Sequence, residues 1–283
     1  MIALLGVFIV TGCVIGGFLF EGGHLAILVQ PAELLIIGGA AIGSFLIASP
    51  MSVVMDVIKA VPKVFFGKGH GKDDYLEILG VLYRLFAEAR KGGTVAIDQH
   101  VNNPSGSSII SRYPKVAKDD VLCNFICDNL KVVVAGNIEP HVMDAIMDLD
   151  VLTRYRHASE PSHAVAKVAD SLPGLGIVAA VLGVVLTMGK LNEPPEVLGH
   201  SIGAALLGTF LGVLLCYGFV GPIAANLEHS AKAHQAQLRT IKAGIAAFVA
   251  GLPPLLAAEA ARRAIPGHAQ PSFEELEEAM KRG

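Results

Sequence analysis

Residues 170–222 read DSLPGLGIVAAVLGVVLTMGKLNEPPEVLGHSIGAALLGTFLGVLLCYGFVGP. No charged side chain stands between Pro173 and Gly189, or between Ser201 and Pro222. Wound as a helix, each run is long enough to cross about 30 Å of hydrocarbon, so the stretch predicts two membrane spans joined by the polar turn KLNEPPEVLG. Gly174, Gly176, Gly183, Gly203, Gly208, Gly212 and Gly218 recur through both runs. Each glycine weakens a helix by about 1 kcal/mol relative to alanine, which is hard to explain in helices that face only lipid. Close helix–helix packing explains it, because small residues let backbones approach.

Two more apolar runs lie at the N-terminus of a chain that is 53% hydrophobic and 17% charged, with no Trp. Ile2 to Phe20 has nineteen residues without a charge. It lacks the basic n-region of a signal peptide and a second apolar run follows at once, so it reads as an uncleaved span. That second run, Glu33 to Ser49, carries Gly39 and Gly43 as a small-xxx-small face. Of 22 Lys and Arg, fourteen lie between Lys59 and Lys167 and seven between Lys232 and Arg282, leaving only Lys190 for the two short loops. The positive-inside rule then puts the middle segment, the C-terminal tail and both termini in the cytoplasm. The predicted fold is all-α, with transmembrane hairpins at 1–49 and 169–224, a cytoplasmic helical domain at 50–168 and a cytoplasmic helical tail at 225–283.

Local patterns fill in the cytoplasmic part. MSVVMDVIKAVPKVFFGKGHG, after Pro50, is apolar on one side and predicts a helix along the inner leaflet with a glycine-rich stop. Asp73 to Arg90 repeats apolar residues at three and four spacing, an amphipathic helix closed by Lys91, Gly92 and Gly93. Thr94 is placed to cap a second short helix, TVAIDQHV, so that Arg90 and Asp98 flank a glycine turn; as residue types alone they are solvated surface charges. Helices are predicted over Lys118–Ala135 and His141–Val165, with Asp128, Asp148 and Asp150 on a wet face. Cys123 and Cys127 read as buried reduced thiols rather than a zinc site. IAAFVAGLPPLLAA is too short for a span and reads as a packed segment, and Ser272 with Glu275 forms a capping box for a last acidic helix.

No nucleophile elbow, P-loop, HExxH or dinucleotide fingerprint occurs, which argues against an enzyme, and no basic patch interleaved with aromatics points to nucleic acid. The spans themselves hold no Asp, Glu, Lys, Arg or His at depth. Their polar residues there are Thr11, Cys13, Ser44, Thr187, Ser201, Thr209, Cys216 and Tyr217, with Glu33 and Asp170 at the edges. Glu33 falls in the first turn of its span, where the helix dipole suits a carboxylate whether its role is structural or functional. Chains that move ions usually keep an ionisable group at membrane depth despite a cost of about 2.5–3.5 kcal/mol. Either this chain conducts nothing, or another chain supplies the titrating group.

The motifs QPAELLIIGGAAIGSF, LYRLFAEAR, NPSGSSIISRYP, ADSLPGLGIVAAVLGVV, GTFLGVLLCYGFVGP and PSFEELEE together resemble the flagellar stator subunits of the MotA/TolQ/ExbB proton-channel family, over nearly the whole chain. Four spans with a large loop after the second are similar to the MotA kind rather than the three-span ExbB and TolQ kind. The resemblance implies a stator subunit that, with MotB, passes protons across the inner membrane and turns the rotor protein FliG; the alternative is an ExbB/TolQ-like energiser of outer-membrane transport. It implies a homopentamer around a MotB dimer whose single span carries the titrating aspartate, with no cofactor beyond the coupling proton. By the same resemblance Pro173, at the start of the third span, and Pro222, at the end of the fourth, couple ion passage to shape change, each offering a bend point at a helix end, and Arg90 and Asp98 meet the rotor, Asp98 standing where the family usually has Glu. Ala180, Thr209 and Tyr217 would line the ion pathway. Sodium-driven relatives carry Thr in place of Ala180, and a methyl group cannot coordinate sodium, so proton drive is expected. The Thr209 hydroxyl either holds a water beside the partner's carboxylate or bonds back to its own helix.

Overall fold

The computed structural model of the chain describes residues 2–67, 69, 71–136 and 138–282. Lys68 and His70 of the predicted glycine-rich stop, and Asn137 of AGNIEPH, lie outside the described residues. Among the described residues every regular element is helical, as expected. In chain order these are α1 (Ile2–Phe20), α2 (Leu25–Leu28), α3 (Pro31–Ala48), α4 (Met51–Phe66), α5 (Lys72–Gly92), α6 (Asp98–Asn102), α7 (Pro114–Ala117), α8 (Asp120–Ala135), α9 (Pro140–Met188), α10 (Pro195–Leu214), α11 (Gly221–Val249), α12 (Pro254–Arg263) and α13 (Phe273–Arg282). Four helical stretches are long and apolar enough to cross a membrane: Ile2–Phe20, Leu25–Ala48, part of Pro140–Met188 and part of Pro195–Val249. The chain forms two compact units, Met1–Lys68 with Ala158–Ser230, and Gly69–His157 with Ala231–Gly283.

The first unit contains the four apolar stretches. α9 and α10 meet along small residues: a Cβ on Gly176 would lie 2.7 Å from the Gly208 carbonyl oxygen, one on Gly183 2.7 Å from the Ala205 Cβ, and one on Gly212 2.5 Å from the Leu172 carbonyl oxygen. Backbone therefore touches backbone, the geometry that the glycines at 176, 183, 208 and 212 predict and that dispersion rewards where lipid offers no hydrophobic drive. α3 adds Ile37 and Ala41 to this hairpin, in a cluster with Ala169, Leu172, Ala179 and Cys216. α4 lays Val57, Ala60, Val61 and Val64 against Val165, Ala224 and Leu227, while Met51, Ile58 and Phe66 face outward with Lys59 and Lys63. That is the two-faced character its pattern predicts.

The second unit is built around α5, whose Ile78, Leu79, Val81, Leu82, Leu85 and Phe86 are fully buried. Phe86 stacks on Phe248 at 4.5 Å between ring centres. Gly80 is required under the Tyr113 ring, where a Cβ would come within 2.5 Å of a ring carbon. Cys123 and Cys127 are buried in this core, as expected of reduced thiols. The predicted capping box forms: the Ser272 N–H donates to Glu275 Oε2 (2.7 Å) and the Glu275 N–H to Ser272 Oγ (3.2 Å). α13 is held on α5 by the Lys72–Glu275 ion pair (3.0 Å), by Arg84 donating to the Met280 carbonyl (3.0 Å) and by buried Leu276.

Three local expectations are corrected. Thr94 caps no helix: Gly93, with φ +78°, ends α5, and Thr94–Ile97 form a 3-10 turn running straight into α6. The helix predicted to stop at Val165 continues unbroken to Met188 as α9. Pro173 and Pro222 do not sit at helix ends: Pro173 is inside α9, and Pro222 follows a π turn, Leu215–Val220, that joins α10 to α11 without a break.

Candidate functional site

The α9–α10 hairpin fixes where Ala180 and Thr209 stand. The Ala180 backbone nitrogen lies 2.9 Å from the point a Cβ on Gly208 would occupy, so Ala180 is level with the residue before Thr209. Both residues are half-buried. The hairpin thus brings a methyl group and a hydroxyl to one level. Thr187 donates its hydroxyl to the Gly183 carbonyl (2.8 Å) and Ser171 to Val168 (2.7 Å), the usual outcome for a hydroxyl in an apolar helix. Thr209 differs: among the described residues its hydroxyl has no hydrogen-bond partner. An unpaired hydroxyl at membrane depth is available to a water or to another chain. Tyr217 is not brought to the same place, being eight residues on, about 12 Å along the helix, and 74% exposed.

The two prolines are also apart. Leu172, next to Pro173, has its carbonyl against Gly212, and Pro222 lies ten residues beyond Gly212, about 15 Å along the helix. Pro173 leaves the Ala169 carbonyl without its N–H inside a packed cluster. Pro222 is accommodated differently. The preceding turn is widened, the Gly221 N–H donating to the Cys216 carbonyl five residues back, and a Cβ on Gly221 would come within 2.9 Å of that oxygen. The π turn moves carbonyls from beneath the proline ring. Sequence pattern gave no sign of it, since a π turn has no composition signature.

In the second unit Arg90 is exposed in the last turn of α5 and, among the described residues, makes no ion pair. Asp98, first residue of α6, is half-buried and accepts a hydrogen bond from Asn102 Nδ2 at 2.9 Å. Buried Ala89, Ile97 and Val101 anchor this corner, and Val95 is 74% exposed beside the charges. The loop that follows is pinned by Ser107, whose hydroxyl accepts from the Ile109 and Ile110 N–H groups (3.3 and 3.1 Å) and pairs with His100 Nδ1 (2.9 Å). NPSGSSIISRYP is therefore a scaffold beside the charged corner.

Several ionisable groups make contacts that sequence pattern does not show. Lys242 bridges Asp144 (3.0 Å) and Asp148 (2.6 Å), tying α11 to α9 within the second unit, so Asp148, exposed as its wet-face pattern predicts, is also one end of a bridge. Glu259 is clamped by Arg262 (2.6 Å) and Arg263 (2.8 Å), and the Arg262 hydrogen bond, ahead of that from Arg263, holds its carboxyl down at about 2. Glu33, expected at a span edge, is 9% exposed, and its Oε2 is buried with no hydrogen-bond partner.

Comparison with known proteins agrees with this architecture. Residues 4–93 match the motility protein A N-terminal model and residues 117–240 the MotA/TolQ/ExbB proton channel family model. Motility protein A of Salmonella typhimurium is 38% identical over 99% of this chain and 95% of its own, and that of Escherichia coli gives the same figures. Chemotaxis protein LafT of Vibrio parahaemolyticus is 34% identical over 96% of both chains. The fold is shared with a chain of the C. jejuni MotAB structure (TM-score 0.77, 18% identity, 94% of this chain and 95% of that one) and of the Bacillus subtilis flagellar MotAB stator complex (0.73, 21%, 91% and 92%). With a 38% identical relative matched end to end and both halves of the sequence recognised, the chain belongs to the motility protein A family, within the MotA/TolQ/ExbB proton channel family.

Proposed function

We propose that the chain is a stator subunit of the bacterial flagellar motor, forming with MotB a proton channel that turns proton-motive force into torque on the rotor protein FliG. It is a motor component, not an enzyme. The observation that carries the reading is the 38% identity to motility protein A over 99% of the chain. The solved relatives are MotAB complexes, which supports MotB as the partner here. The chain sits in the inner membrane with both termini in the cytoplasm, consistent with the Lys and Arg distribution. It assembles as a homopentamer around a MotB dimer.

The mechanism follows from what the chain has and lacks. Its hairpin supplies a close-packed wall with Ala180 and the unpaired Thr209 hydroxyl at one level. The partner's aspartate supplies the proton-binding group. Each proton that crosses releases about 2.3 kcal/mol per 100 mV. Protonation of that aspartate removes a charge beside the wall, and the packing of α9 and α10 around it readjusts. Pro173 in α9 and Pro222 at the start of α11, each lacking an N–H, mark where the helices bend most easily. Arg90 and Asp98 present both signs of charge to FliG. The coupling ion is the proton and no other cofactor takes part.

Deleting the chain from its host tests the proposal. Cells with intact flagella that do not swim, rescued by the wild-type gene, support it. Normal swimming with impaired outer-membrane transport would support the ExbB/TolQ-like role instead.

A further inference from the structure

Among the described residues, Glu33 is the charged residue that the first unit buries inside a candidate span. α3 buries three residues, Glu33, Ile37 and Ala41, spaced one turn apart. They form one stripe, and Ile37 and Ala41 pack in the cluster shared with α9 and Cys216. Glu33 therefore extends the face that α3 turns towards the hairpin, and α10 is packed against both α3 and α2. Its Oε2 is fully buried and unpartnered, while the residue keeps 9% of its surface exposed.

Glu33 does not do what a glutamate at the third position of a helix usually does. Such a residue reaches back to the N–H of the capping residue, but among the described residues no side chain bonds the Gln30 backbone N–H, and the Gln30 side-chain Nε2 donates to the Ile27 carbonyl at 3.2 Å. Nor does Glu33 form an ion pair. The titratable groups on the elements around this stripe are His24 ahead of α2, Asp170 on α9, Cys216 in the π turn, Glu196 and His200 near the start of α10, and Lys190, which is spent on Ser201 Oγ at 3.2 Å. His24, Asp170, Glu196 and His200 are exposed, Cys216 is buried, and none of these groups bonds Glu33 among the described residues. A carboxylate oxygen buried without a partner costs free energy, so its retention here calls for a role that uses it.

Resting on the stator reading above, we propose that Glu33 is a proton-holding group of this chain's own at the outer end of the pathway. It takes a proton from hydronium on the outer side, leaving water, and releases it inward along water towards the partner's carboxylate. One proton enters and one leaves at each passage, so Glu33 returns to its starting state. It gathers protons where they are dilute and does not replace the partner's aspartate. Its contribution is therefore largest when the outside is alkaline.

The test is cytoplasmic acidification in cells that express the full chain with MotB whose plug is deleted, with stator amount measured in the membrane. Glu33→Gln keeps the shape and hydrogen-bonding capacity but cannot carry a proton. The expected result is flux about tenfold slower at alkaline external pH, converging on wild type as the outside is acidified, with Glu33→Asp recovering part of the loss. Wild-type flux in Glu33→Gln at every external pH would overturn the proposal. So would loss of the complex from the membrane in Glu33→Gln, because the charge would then serve assembly. If the wild-type pair itself conducts nothing, the stator reading fails rather than this one.

Discussion

The backbone nitrogen of Ala180 stands 2.9 Å from where a Cβ on Gly208 would be, with the Ala179 Cβ at 3.0 Å and the Gly176 carbonyl at 3.1 Å. Nothing at that point is the end of a flexible side chain. Gly208→Ala must push α9 and α10 apart, at a cost of about 1–3 kcal/mol. Gly203→Ala, where nothing lies within 4 Å, is the matched control. Thermal denaturation of the purified complex in detergent should separate the two, with Gly208→Ala melting lower and Gly203→Ala at or above wild type.

The free Thr209 hydroxyl leads to a second expectation. Thr209→Val keeps the shape and removes the hydroxyl, so proton flux should fall while assembly is retained, and Thr209→Ser should restore it. Equal flux in all three proteins, read as cytoplasmic acidification, would assign Thr209 to packing alone.

Arg90 is exposed and makes no ion pair among the described residues, so Arg90→Glu should change stability by no more than about 0.5 kcal/mol. Torque should nonetheless drop, with membrane assembly intact, and a compensating charge reversal on the rotor should restore it. Tethered-cell rotation reads both. Failure of every rotor reversal to rescue would contradict the electrostatic account.

Glu259 gives a pH dependence with a definite sign. Its folded carboxyl titrates near 2, below the ordinary carboxylate value of 4.5, because of Arg262 and then Arg263. The stabilisation is therefore complete above that ordinary value and is lost as pH falls from about 4.5 towards about 2. Glu259→Gln should lower the melting temperature at neutral pH, and its deficit should shrink on acidification through that window. A deficit that stays constant with pH would exclude the ion-paired role.

The spans, the hairpin and the capped helix ends were legible because their signals are local. A charge-free run, a glycine after a cationic last turn, or Ser272 three residues before Glu275 acts within a turn or two of chain. Glu33 was not legible in the same way. Its place in a first turn is visible, but its burial depends on which face α3 turns towards the hairpin. Pro173 and Pro222 look like stops and are not, because packing in α9 and a π turn before α11 carry the helix through. The 3-10 turn at Thr94 is set by the positive φ of Gly93, which places Gly92 and Ala96 so close that a Cβ on Gly92 would come within 2.8 Å of the Ala96 Cβ. Arg90 and Asp98 drew notice by family resemblance alone; as residue types they resemble any surface pair.

The central claim is that this chain, with MotB, drives rotation by passing protons. Its most direct measurement is the rotation speed of tethered cells that depend on this chain, with proton-motive force and external sodium varied independently. The account predicts speed that rises with proton-motive force and is indifferent to sodium, as the methyl group of Ala180 requires. Speed that follows sodium at constant proton-motive force would contradict it.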